Sequence, residues 1–225
     1  MRSFVRVTAV AVGLALMPLV SAAAGNEGLE LLFKARHLDL VDKGGEVTYH
    51  FERKGSDERL VGKNYADDIR LGVEKVDDKG GRDVVLKIFT GEHARDPQSY
   101  PELSINPLFI WYLDRAVSTF GTLAGGNHMY LKHKISDALG AAQFEATKVD
   151  YNGGQVDALK TTIAPFADDP SAFKMQGFQN SSFTIVISNH VPGYFVDLQS
   201  NFVSAQAAGP ELKEQIKLVG MGEAK

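Results

Sequence analysis

Apolar residues recur along this chain at two spacings, and the pattern switches from one to the other and back. Over residues 46–53, Val47, Tyr49 and Phe51 alternate with Thr48, His50 and Glu52. A period of two sets one row on a core and the other in water, which predicts a strand. Ile69, Leu71 and Val73 alternate with Arg70, Gly72 and Glu74 in the same way. Asp77-Asp78-Lys79-Gly80-Gly81 then supplies turn residues, and 84–89 follows as a more apolar strand. Together they predict a β-hairpin.

The period lengthens after Asn106-Pro107. Asn can cap free backbone N–H groups, and Pro has no N–H to lose at the first helical position. The run Leu108-Phe109-Ile110-Trp111-Tyr112-Leu113 follows, and Val117, Phe120 and Leu123 extend one stripe at spacings of three and four. This predicts a helix over 107–124, apolar all round in its first turns and therefore buried. Gly125-Gly126 ends it. Asn127 caps a second predicted helix over 128–139, with Leu131, Ile135, Ala138 and Leu139 as its inner face.

Alternation returns at 144–151 and 156–163, joined by an Asn152-Gly153-Gly154 turn. Phe183, Ile185 and Ile187 form the next row, and Val191-Pro192-Gly193 turns the chain. In the strand that follows, Tyr194, Val196 and Leu198 are expected on one face and Phe195 on the other. Residues 211–218 read as a short strand or a fraying helix. Tight turns imply antiparallel pairing. Two helices inserted between runs of strands imply an α+β fold. The expected architecture is a curved antiparallel β-sheet, an open half-barrel, wrapped around the inserted apolar helix pair.

Residues 1–24 do not belong to that pattern. Arg2 and Arg6 precede an apolar run of about 14 residues, too short for a span of about 20. Ser21-Ala22-Ala23-Ala24 then offers small residues for cleavage. These are the parts of a secretory signal peptide. The mature chain is expected to be a single β-rich domain, 25–225, in the periplasm. No second long apolar run follows, so no transmembrane segment is expected there. Its loss of two arginines moves the formal net charge from −4 to about −6. That balance gives no polybasic surface for nucleic acid. The chain has no cysteine, which removes thiol catalysis and thiolate metal sites.

Other chemistry is equally sparse. The six histidines, His37, His50, His93, His128, His133 and His190, show no two-His zinc-protease spacing, so no metal site is expected. The acid pairs Asp67-Asp68, Asp77-Asp78 and Asp168-Asp169 read as turn and loop chemistry. Nucleophile elbows and phosphate-binding glycine loops are missing, so no catalytic residue and no cofactor is assigned. Two candidate sites remain. Phe109, Trp111, Tyr112 and Phe120 are either a plain core stripe or the wall of an apolar ligand cavity, with Trp111 and Tyr112 as polar-tipped anchors. His128 and Lys132, with His133 and Lys134, are either a solvated helix face or an anion contact near a helix N-terminus.

The order of elements, with Asn106-Pro107-Leu108-Phe109-Ile110-Trp111-Tyr112-Leu113-Asp114-Arg115 and Ser188-Asn189-His190-Val191-Pro192-Gly193-Tyr194 as its most characteristic pieces, resembles a group of exported bacterial proteins. That group comprises the LolA/LolB-type lipoprotein carriers and acceptors and related uncharacterised periplasmic domains. The resemblance spans roughly residues 31 to 203 and carries over no functional position. It implies a curved sheet around apolar helices and a lipid-like ligand. The expected function is therefore a non-enzymatic binding or carrier protein for a lipid or other apolar small molecule. The alternatives are an envelope structural protein that binds a protein partner, or an unrecognised hydrolase.

Overall fold

In the computed structural model, residues 27–206 and 209–223 are described, so the predicted signal peptide lies outside the described residues. A short helix α1 (Glu27–Leu29) runs into a π-helical turn (Glu30–Lys34). Then come β1 (Gly45–Gly55), α2 (Glu58–Val61), β2 (Tyr65–Val76), β3 (Arg82–Ile88) and β4 (Gln98–Leu103). The long helices α3 (Leu108–Ala124) and α4 (His128–Gly140) follow, and then β5 (Glu145–Tyr151), β6 (Gly154–Ile163), β7 (Ser182–Ile187), β8 (Phe195–Val203) and β9 (Glu211–Glu223). All nine strands form one curved antiparallel sheet in the order β4-β3-β2-β1-β9-β8-β7-β6-β5. The chain starts at the centre, walks out to one edge, crosses through the helices to the other edge and walks back. The α+β half-barrel expected from the alternation is the observed fold.

Local chemistry accounts for the turns. Asp77 Oδ1 accepts from Lys79 N at 2.7 Å and Gly81 N at 2.8 Å, which closes the β2–β3 hairpin. Asn152 and Gly153 both take positive φ between β5 and β6, the pattern of a two-residue hairpin turn that matches strand twist. Both sheet edges are blunted against further pairing. The β4 edge carries Pro101, and β5 carries Glu145, Lys148 and Asp150.

Several elements depart from the sequence pattern. β4 was not foreseen, because Gln98–Leu103 has no apolar row to betray it. Residues 211–218 lie in a long strand in the middle of the sheet, between β1 and β9's other neighbour β8. Ile110 is 43% exposed although its helix reads as apolar all round. The sheet covers one side of α3 and α4 covers part of another, which leaves Ile110 at their open margin. In β8 the expected facing is reversed at its start. Between the Val186–Asp197 and Ile187–Phe195 pairs β8 carries one extra residue, Val196, so Phe195 enters the main core and Val196 a small outer cluster with Ala158, Val186 and Val191. A bulge adds one residue to one strand and so exchanges faces.

The core fills the concave side. Val47, Tyr49, Phe51, Ile69, Leu71, Phe183, Ile185, Leu198 and Phe202 come from the strands, and Phe109, Tyr112, Val117 and Phe120 descend from α3. Helix α4 adds Leu131, Ile135 and Leu139, with Ala138 half-buried.

Candidate functional site

Helix α3 is pinned across the sheet centre by its aromatic stripe. Phe109, 1% exposed, stacks on Phe195 with ring centroids 4.9 Å apart. Tyr112 OH donates to Gln199 O at 2.7 Å and receives Ser200 Oγ at 3.2 Å, and burial pushes its phenol pKa up. Phe120 stacks on Phe166 and tilts against Phe202. Trp111 is half-buried, edge-on to Phe51 and Phe89. The predicted ligand wall is thus packed against the protein's own side chains.

Beside that stripe sits a charge cluster that no local motif announces. Glu214 of β9, 4% exposed, accepts from Arg115 through Nη2 at 2.7 Å and Nε at 3.1 Å, and also from Arg53 of β1. Arg115 Nη2 also donates to Tyr65 OH at 2.9 Å, and the guanidinium lies over the rings of Phe51, Phe89 and Trp111. Two arginines on one buried carboxylate fasten α3 to the central seam of the sheet.

The two characteristic sequence segments meet at a second polar knot. Asn106 Oδ1 accepts from Leu108 N at 3.0 Å and caps α3, while its Nδ2 donates to Gly193 O at 2.8 Å and Tyr49 OH at 2.9 Å. Asn106 N donates to His37 Nδ1 at 3.2 Å, and His37 Nε2 lies 2.9 Å from Leu31 O. These partners require an acceptor at Nδ1 and a proton on Nε2, so the ring is the neutral Nε2–H tautomer. It stacks on Tyr194 with centroids 4.4 Å apart. Of the six histidines only His37 is buried.

Burial lowers the His37 pKa, opposed in part by the Leu31 carbonyl. An unfolded chain therefore takes up a proton at the ordinary histidine value of about 6.5, whereas the folded chain does so only at lower pH. Between those two values the unfolded state holds the extra proton, so stability falls as pH falls through that window. Denaturant midpoints measured from pH 7.5 down to pH 5 are expected to drop. That drop should shrink in His37→Gln. An equal pH slope in both proteins would show that His37 is not the titrating group.

The basic residues of α4 are mostly committed. Lys132 Nζ pairs with Asp114 of α3 at 2.7 Å. Lys134 Nζ pairs at 2.8 Å with Asp169, whose side chain is fully buried and also accepts from Tyr130 OH at 2.6 Å. Lys134 and then Tyr130 hold the Asp169 carboxyl down at about 2. His128 is exposed, with its ring against Gly121 of α3. Asn127 Oδ1 already accepts from Met129 N and Tyr130 N, so the α4 N-terminus is internally capped. The structure places His128 and Lys132 on one helix but gives Lys132 a carboxylate partner.

Between α3 and α4 runs a groove of about 230 Å³. Its apolar wall is Phe33, Ile110, Leu113, Val117, Ile135 and Leu139, and its polar margin is Asp114, Lys132 and Ser136. Phe33 rests on Phe109, 5.4 Å between centroids, so the groove lies directly behind the aromatic stripe. Sequence reasoning missed it. The signal was a second apolar stripe on α3, Ile110, Leu113 and Val117, facing Ile135 and Leu139 four apart on α4. Phe33 comes from a segment with no clear periodicity.

Two clefts of more than twice that volume lie elsewhere. One of about 510 Å³ is at the α3–α4 corner, between Tyr130, Leu131 and Met175. The other, about 560 Å³, lies between Ala141 and Lys160 and is more polar. A histidine–carboxylate pair, His50 Nδ1 to Asp68 Oδ1 at 3.1 Å, sits half-exposed on the convex face and lines none of these clefts.

No protein-family model matches the chain, and no curated protein matches it in sequence. Among solved structures with a similar course, the Mycobacterium tuberculosis lipoprotein LppX is 14% identical, with a TM-score of 0.33 over 80% of this chain and 87% of that one. A LolA superfamily protein from Nitrosomonas europaea is 10% identical, with a TM-score of 0.22 over 88% of this chain and 94% of that one. Likenesses this distant concern the path of the backbone and assign no residue a role. No helix among the described residues is long and apolar enough to cross a membrane.

Proposed function

We propose that the protein is a non-enzymatic binding or carrier protein for a lipid-like ligand, working in the periplasm after export. The observation that carries this reading is the α3–α4 groove. It has an apolar wall from three segments of chain, a charged pair at one margin and Ile110 left 43% exposed at its mouth. Binding energy would come from burying apolar area, about 25 cal/mol per Å². In this reading Phe109, Trp111, Tyr112 and Phe120 hold α3 on the sheet, and Phe109 backs the groove through Phe33. The groove is smaller than the roughly 300–1,000 Å³ of a pocket that encloses a drug-sized molecule. The ligand therefore lies along the helix pair, partly open to solvent.

Mild purification followed by native mass spectrometry or lipid extraction is expected to find a bound amphiphile. Ile110→Glu, a change at an exposed position, should weaken binding of a long-chain amphiphile about tenfold, because it puts a charge where the chain enters. Its circular dichroism should match that of the parent. Unchanged affinity in Ile110→Glu would remove the groove from the reading.

A further inference from the structure

We infer that the ligand is a single-chain amphiphile with a zwitterionic head, its chain in the α3–α4 groove, its anionic group on Lys132 and its cationic group on Asp114. This rests on the carrier reading above and narrows it to one chemical class.

The size and shape of the groove argue for one chain. Ile110 and Val117 are seven residues apart on α3, about 10 Å along the axis at 1.5 Å per residue. Leu113 lies between them, and Ile135 and Leu139 face them from α4. Val117, Ile135 and Leu139 are the buried floor of the groove, Phe33 and Leu113 are half-buried at its sides and Ile110 is exposed at its mouth, which leaves a narrow apolar slot with the width of one chain.

The margin argues for the head. Asp114 and Lys132 reach toward each other from different helices, at 2.7 Å, with side chains 57% and 49% exposed. So exposed a pair contributes little and opens at small cost. The neighbouring charges are turned elsewhere: Lys134 to buried Asp169, and Arg115 to buried Glu214. The groove thus presents one positive and one negative group and no net charge. An anionic head would find Lys132 but abut Asp114, and a cationic head would meet the reverse. A neutral head would gain neither charge and would leave the pair closed. A zwitterion gives each of the two charges a partner. Ser136, at the same margin, can donate or accept a further hydrogen bond.

Isothermal titration with four single-chain probes, each below its micelle-forming concentration, tests this. The probes are dodecylphosphocholine, dodecyl phosphate, dodecyltrimethylammonium and dodecyl maltoside. The unaltered protein is expected to bind dodecylphosphocholine about two- to fivefold more tightly than the other three, the span of an exposed ion pair. Asp114→Asn should move the preference to dodecyl phosphate, and Lys132→Gln should move it to dodecyltrimethylammonium. Both positions are exposed, and unfolding midpoints check that each variant keeps its fold. Equal affinity for all four probes, or the same ranking in both variants as in the parent, overturns the head-group assignment and leaves the carrier reading standing. No binding of any probe overturns both.

Discussion

Alanine in place of Glu214 is expected to cost the fold about 3–5 kcal/mol, the largest loss from any single change considered. The carboxylate is 4% exposed and is the shared partner of Arg53 and Arg115. Its removal leaves two guanidinium groups facing each other in a place with little water. The arginines cannot simply turn outward. Arg53 also donates to Val61 O, and Arg115 is held under Trp111 against Phe51. Glu214→Gln keeps the acceptor oxygen but loses the charge, so it should fall between parent and alanine. Denaturant unfolding reads both. A loss below about 1 kcal/mol for the alanine variant would mean that the cluster is solvated and behaves as a surface pair.

The second large effect is expected from Gly193→Ala, about 3 kcal/mol. Gly193 has φ +74°, and a Cβ there would stand 2.1 Å from Tyr49 Oη and 3.2 Å from Asn106 Nδ2. Those are the two groups that hydrogen-bond to its carbonyl. The substitution thus strains the backbone and pushes apart the knot that starts α3. Removing the obstructing hydroxyl should return part of the loss. In a double-mutant cycle, Tyr49→Phe with Gly193→Ala is expected to cost at least about 1 kcal/mol less than the two single changes added together. Strict additivity would show that the phenol does not oppose the new methyl group.

How much of this was legible beforehand depends on whether a residue's role was set by its neighbours in sequence. Val47-Tyr49-Phe51 and Ile69-Leu71-Val73 obey the period of a half-buried strand, and they are buried in it. Asn106-Pro107 and Asn127 start helices because capping is a local reaction. Where a distant partner decides, the pattern misleads. Glu214 interrupts an apolar row between Leu212 and Ile216, which hides a central strand, and only Arg53 and Arg115 explain its burial. Phe195 faces inward because of a bulge whose other half lies in β7. Lys132 looked like part of a free basic face until Asp114, on the neighbouring helix, came into reach. His37 carried no motif, because its partners are a backbone carbonyl and a backbone N–H from two separate segments.

The strand order has a consequence for how the chain assembles. The hairpins β2–β3 and β5–β6 join close neighbours and can form early. The middle of the sheet, however, is the pairing of the first strand with the last, in which Val47 lies beside Met221. Contacts so far apart in sequence are slow to form, because a long loop must close before any of them repays its entropy. Both halves of the molecule must wait, with their inner edges unpaired, until the final strand arrives to join them. A nascent chain that lacks β9 therefore exposes two sticky edges at once, and losing the stretch Leu212–Lys217, which pairs with β1 on one side and β8 on the other, opens the molecule along its midline rather than fraying its rim.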